Sequence, residues 1–345
     1  MTDRRSFLAG LFAATLCPKP TWSDAGSPAF LSAGLKPNGR YVLCGLTPDG
    51  KIAFEITLPA RGHAAAAHPI LAQAVAFARR PGTFALVIDC AEGRQLARLA
   101  APEGRHFYGH GTFSRDGNLL FTTENDFEHA RGIVGIWDAR RNYTRIGEFA
   151  SGGVGPHEIQ LIPGTETLVV ANGGIETHPD TGRAKLNIAT MRSNLRFLGL
   201  DGPVLTEVEL DANHQRNSIR HIDIAQNGMV SFGMQWQGDP SERPPVVGTY
   251  SPQGSIQMFD DTGLLAGYVG SVASNLSGST VSATSPRSSR AFEFSTGLDF
   301  ERTEIALEDI CGVAALGDGF IYTSGLGTAA QTSHKIKWDN HLVGV

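Results

Sequence analysis

The sequence predicts an all-β chain folded as a seven-bladed β-propeller. Three observations lead there. The 41 glycines and 18 prolines are spread along all 345 residues, which calls for many tight turns rather than a disordered tail. A strand–turn–strand motif recurs seven times. No stretch carries a convincing amphipathic helix, and only residues 70–78 are ambiguous.

Each copy of the motif is a short apolar strand, a polar turn ending near glycine, and a second apolar strand. The copies cover residues 31–43, 74–87, 111–121, 158–170, 222–232, 280–294 and 312–322, with turn residues Gly39, Gly82, Gly117, Gly164, Gly228, Ser289 and Gly319. Further apolar strands follow most copies, at 51–58, 94–99, 133–137, 195–200 and 255–259. Repeated units of several short strands fit four-stranded blades around an axis. One blade alone leaves apolar faces and strand edges exposed, and a closed ring buries them. The N-terminal strand and residues 335–345 are expected to close that ring. The long fourth repeat holds an excursion at 173–187, expected as a lid over the centre or a solvated hairpin.

The N-terminus reads Arg4-Arg5-Ser6-Phe7-Leu8 ahead of an apolar run ending at Cys17. A run of about ten apolar residues is too short to anchor in a bilayer, and with the paired arginines it fits a twin-arginine secretion signal. Ser23-x-Ala25 offers small residues for a signal peptidase, so residues 1–25 are expected to be a leader and 26–345 the propeller, delivered to the periplasm. Removing the leader takes three basic and two acidic residues from totals of 29 and 34, leaving 26 against 32, a net of −6. That balance, with no basic-aromatic stripe, argues against nucleic acid as a partner. No later segment is apolar for long enough to cross a membrane. Cys44, Cys90 and Cys311 remain, too few for a disulfide-built scaffold.

Aligned repeats bring out the sharpest chemical signal. His110, His157 and His221 each lie seven residues before the turn glycines Gly117, Gly164 and Gly228, and Cys311 lies eight before Gly319. The inner strand of a blade runs along the axis and ends at its turn. A residue seven places earlier therefore stands at the opposite rim of the channel, where the inter-blade loops emerge. Three neighbouring blades should thus bring their imidazoles to one arc of that mouth. Clustered imidazoles suit a borderline transition metal, here iron or copper with zinc the weaker match. His341, in Asp339-Asn340-His341, and Cys311 are added as candidate ligands, and Arg105, Arg220 and Asn340 as polar residues holding a bound cofactor or small molecule. His63 and His68, Arg61, His106, Tyr108 and Ser218 fall in the same connecting loops. A channel mouth can also hold histidines bonded only to water and carbonyls.

There is no nucleophile elbow, phosphate-binding loop or haem-attachment motif. Only Trp137-Asp138 places a Trp-Asp pair at the end of a third strand, unlike a scaffold of Trp-Asp repeats. Several strings, however, are similar to the bacterial family called domain of unknown function 1513: 104–111 (GRHFYGHG), 123–126 (TEND), 155–159 (GPHEI), 171–175 (ANGGI), 218–221 (SIRH), 285–287 (SPR) and 338–341 (WDNH). The resemblance covers essentially the whole chain after the leader. It implies a propeller-like periplasmic protein exported by the twin-arginine route, working beside imelysin-like or other iron-uptake proteins. It carries no assigned reaction, so no catalytic residue follows from it. Three readings stand: an accessory protein of iron or other metal handling, a metal-dependent oxidoreductase, hydrolase or lyase using His157-Glu158 or His221 as general base, and a scaffold for an uptake partner.

Overall fold

The computed structural model describes residues 19–79, 83–297 and 301–345. The twin-arginine segment and Gly82 lie outside these residues. Seven antiparallel sheets form the blades of a β-propeller. Apart from two single-turn 3-10 segments, Ala139–Arg141 and Pro179–Thr181, the described residues contain no helix. None is long and apolar enough to cross a membrane.

The innermost strands, counted around the ring from the second blade, are Gly62–Ala67, Arg105–Phe113, Pro156–Leu161, Asn217–Ile224, Ser271–Ser274 and Ile310–Leu316. The last place is taken by the C-terminal strands Lys337–Trp338 and Val343–Gly344. Sequence pattern follows depth. Phe84–Asp89, a middle strand of blade two, is buried at every residue and reads as an apolar run. Thr144–Ala150, the outermost strand of blade three, alternates between exposed and half-buried residues. The core lies between blades rather than on the axis. In its largest cluster Val169 and Leu195 of blade four, Phe232 and Phe259 of blade five, and Phe292 and Phe294 of blade six pack together.

The recurring motif proves to mark two different hairpins. In blades three, four, five and seven it joins the first strand to the second, but in blades one, two and six it joins the second to the third. The ring closes as expected, through pairs Phe30↔Gly344, Leu31↔Val343 and Gly34↔Trp338. Phe30–Leu35 is therefore the second strand of blade one, and the chain end supplies its inner strand. The ambiguous stretch 70–78 contains the strand Gln73–Ala78.

Residues ahead of position 26 also pack on the domain. Thr21 bridges to Leu71, the Trp22 indole donates to the His68 carbonyl at 2.9 Å, and Ala25 is buried in the core of blades one and two. The expected leader boundary after Ala25 thus falls inside an ordered turn.

Glu124, fully buried on blade three, is held bidentately by Arg145 at 2.6 and 3.0 Å. Arg105 and Arg145 both grip Glu148. The hydrogen bonds from Arg105 hold the Glu148 carboxyl well down, at about 2 against an ordinary 4.5. A depressed carboxyl contributes stability above its unfolded value and loses it as pH falls through the folded one. Glu148→Gln is therefore expected to flatten the fall of melting temperature between about pH 4.5 and 2. Thermal melts across that range read the slope, and identical slopes in variant and wild type would refute the assignment.

Candidate metal centre

Five histidines meet at the axis: His341 of blade one, His63 of blade two, His110 of blade three, His157 of blade four and His221 of blade five. Ring centroids stand 4.4 Å apart for His63–His341, 4.6 Å for His110–His341, 5.1 Å for His110–His157 and 4.8 Å for His157–His221. Two sets offer ring nitrogens that all lie within 4.8 Å of one another: His63, His110 and His341, and His110, His157 and His221. His110 belongs to both.

A backbone irregularity at one register aims these rings inward. The ladder between first and second strands slips between Gly62 and Ala65, Phe107 and Gly111, Pro156 and Glu158, and Ile219 and His221. Each slip contains or adjoins the histidine of its blade. A bulge kinks a strand and redirects a side chain that regular pleating would send elsewhere. In blade three the bulge needs Gly109, whose φ is +101° and whose missing Cβ leaves room for the His63 ring; a Cβ there would sit 2.6 Å from His63 Cδ2. Blade seven slips between Ile310 and Val313, but Cys311 stands at that point instead of histidine.

The imidazoles are kept neutral. Burial, aided by Arg220 and Arg79, pushes His221 down to about 3; burial and neighbouring imidazoles hold His110, His157 and His341 well below the ordinary value. Burial also lowers His63, and Asp339 opposes it. Neutral rings keep a lone pair available for a cation. Glu158 supports the set from the channel side. It lies 3.3 Å from His221 Nδ1, which sets the nitrogen that this ring turns toward its partners, and 3.8 Å from His110 Nδ1. Burial raises its own carboxyl to about 7. At the other edge, Asp339 lies 3.7 Å from His63 Nδ1 and is gripped by Arg61 and Arg79.

Four ring nitrogens remain buried without a hydrogen-bond partner: His63 Nδ1, His110 Nε2, His157 Nδ1 and His341 Nε2. An unsatisfied buried polar atom costs about 1–3 kcal/mol. Asp339 stands 3.7 Å from His63 Nδ1, and the other three, at one place, call for an occupant. The histidine layer separates two cavities. His110, His221 and His341 line a central channel of about 510 Å³ that also holds Glu158 and Asp223. His63, His157 and His221 line a mouth of about 280 Å³ at the opposite rim.

Of the residues singled out in the sequence, His110, His157, His221 and His341 come together here. Arg220 and Asn340 line the mouth. Arg105 and Cys311 are placed elsewhere. Arg105 is committed to Glu148 and its acidic neighbours on blade three, where three carboxylates compete for one guanidinium. Cys311 is buried in the core of blades seven and one, 3.5 Å from the Thr323 hydroxyl and 3.7 Å from the Trp338 carbonyl, with its thiol pushed up to about 12 by burial. His106 is buried, with Nδ1 on the Phe107 carbonyl. The excursion 173–187 brings Arg183 and Lys185 to the mouth. His63 is the ligand candidate the repeats did not bring forward as one. The turn after its strand is built on Pro69 and capped by His68 Nδ1, with no glycine, so the motif in that blade latched onto Gly82 one hairpin later. Counting back from the first hairpin of the blade would have found it.

A family model described as "Protein of unknown function (DUF1513)" matches residues 56–345. No curated protein is significantly similar in sequence. Among solved structures, hydrazine synthase of Kuenenia stuttgartiensis shares 13% identity over 86% of this chain and 93% of that one, with a TM-score of 0.62. A streptogramin B lyase shares 13% identity over 90% and 92%, with a TM-score of 0.59. The WD40 repeats of RRP9 share 12% over 92% and 94%, with a TM-score of 0.57. At such identities the likeness establishes the propeller fold alone.

Proposed function

This chain belongs to the DUF1513 family of proteins of unknown function, and from that membership we propose that it is a periplasmic accessory protein of metal handling that holds a transition metal in its imidazole cluster. One observation carries the reading: imidazoles from five successive blades converge, and buried ring nitrogens of His110, His157 and His341 have no partner. Several nearby neutral imidazoles suit iron or copper, with zinc the weaker match. Three nitrogens at about 2.1 Å from one ion stand about 3.4–3.6 Å apart, so spacings of up to 4.8 Å close by about an ångström on loading. Glu158 and Asp339 supply the outer carboxylates that orient ligating histidines in metal sites. The paired arginines ahead of the short apolar run support export in folded form, which lets a metal be loaded before or after crossing. An imelysin-like or other iron-uptake protein is the proposed partner.

Metal analysis of protein exported by its own leader tests this. About one metal per chain is expected, lost when His110, His157 and His221 are all replaced by alanine. Metal-free wild-type protein that also fails to take up iron, copper or zinc in titration would sink the reading.

A further inference from the structure

The rim above the histidine layer differs in charge from the rest of the molecule. The whole chain carries a formal charge of −5. Yet Arg79, Arg183, Lys185, Arg220 and Arg287 line the mouth together, and no aspartate or glutamate does. They arrive from four separate places: the second-to-third-strand connection of blade two, the excursion of blade four, the bulged inner strand of blade five and the turn after Ser285 in blade six. Among the described residues Arg183, Lys185 and Arg287 form no ion pair. The Arg287 guanidinium is fixed over the Tyr268 ring at 4.1 Å, and Lys185 donates to Gln237. Burial and the nearness of Arg220 and Arg287 lower the Lys185 ammonium. Gathering like charges is unfavourable without an anion to neutralise them. His157, with a buried unpartnered Nδ1, faces the same space.

We propose that the mouth binds a small multivalent oxyanion, and that the metal reaches the imidazoles as the complex of such an anion. This rests on the metal-binding reading only in its second half. Arg79 is already paired with Asp339, but a bare cation approaching through the mouth still meets the charges of Arg183, Lys185 and Arg287, whereas a negatively charged chelate is drawn in. Guanidinium forks pair bidentately with carboxylate or phosphate, and the mouth volume of about 280 Å³ suits a molecule of six to a dozen or so heavy atoms. The shared chemistry is two or three anionic oxygens on a compact frame, which a polycarboxylate chelator or inorganic phosphate can both provide.

Calorimetry with citrate, phosphate and acetate, each without metal, tests the anion site. Saturable binding of citrate or phosphate is expected, with acetate much weaker and affinity falling as salt rises. Citrate alone would identify a polycarboxylate source, and phosphate alone a phosphate source. Joint replacement Arg183→Ala, Lys185→Ala, Arg287→Ala is expected to weaken binding at least tenfold, roughly what loss of one charge-assisted contact costs. Arg287→Gln alone serves if the triple variant does not fold. His110→Ala, whose ring lines the channel and not the mouth, should keep anion binding while losing metal, so failure of the metal site and failure of the mouth read separately. Absence of saturable citrate and phosphate binding in folded wild-type protein, or affinity unchanged in the cation variants, would overturn the proposal. If ferric citrate loads the imidazoles no better than ferrous ion without a chelator, the delivery half is wrong.

Discussion

His110→Ala is expected to leave the protein folded but unable to retain metal, whereas His63→Ala or His157→Ala should weaken retention without abolishing it. His110 is the one ring shared by both sets of converging nitrogens, so its loss breaks both, while removal of His63 or His157 leaves the other set complete. Losing a partner behind a ligand already costs about 10–100-fold in metal affinity, and losing a shared ligand should cost more. The fold should tolerate the change because the ring bears an unpartnered Nε2, and alanine removes that cost along with the side chain. Competition titration against a chelator of known affinity, with melting curves alongside, measures both quantities. Wild-type affinity in His110→Ala would mean that the imidazoles do not act as one centre.

Ending the chain at Lys335 should abolish cooperative folding. The missing segment is the inner strand of blade one, and it carries three large buried side chains, Ile336, Trp338 and Leu342, packed against Val42, Cys44 and Leu46. Losing three such residues at about 2–5 kcal/mol each reaches the whole stability of an ordinary domain, about 5–15 kcal/mol. The cut also opens the edge of Phe30–Leu35 and removes His341 and the Asp339 that Arg61 and Arg79 grip. Far-ultraviolet circular dichroism with a thermal melt reads the outcome. A truncated chain that still melts sharply near the wild-type temperature would show that the ring does not need this closure.

Much of this architecture was legible in the residues. Apolar strands broken by glycine turns have few alternatives to a ring of sheets, since each blade must cover the faces of two neighbours. Seven blades and the closing role of the last residues follow from that periodicity. Four of the five converging histidines were also recognisable, three by their shared offset from a turn glycine and His341 by its place near the chain end. His63 was obscured because a turn that uses Pro69 and a histidine cap leaves no glycine to count from.

Cys311 and Arg105 show the limit of counting. Cys311 holds nearly the same offset as the histidines, yet its thiol packs beside Thr323 and Trp338. Arg105 stands five residues from His110, but the carboxylates of its own blade claim it.

By itself the sequence determined that this chain makes seven blades, that its C-terminus completes the first, and that histidine recurs at one level of the inner strands. Which way those rings face, and which cations join them, was decided only by tertiary structure. Side-chain direction at that level depends on a bulge, and a one-residue slip in pairing turns a side chain from one face of the sheet to the other. The charge of the mouth is likewise a sum over three connecting segments and one inner strand far apart in the chain, which meet only because the ring closes.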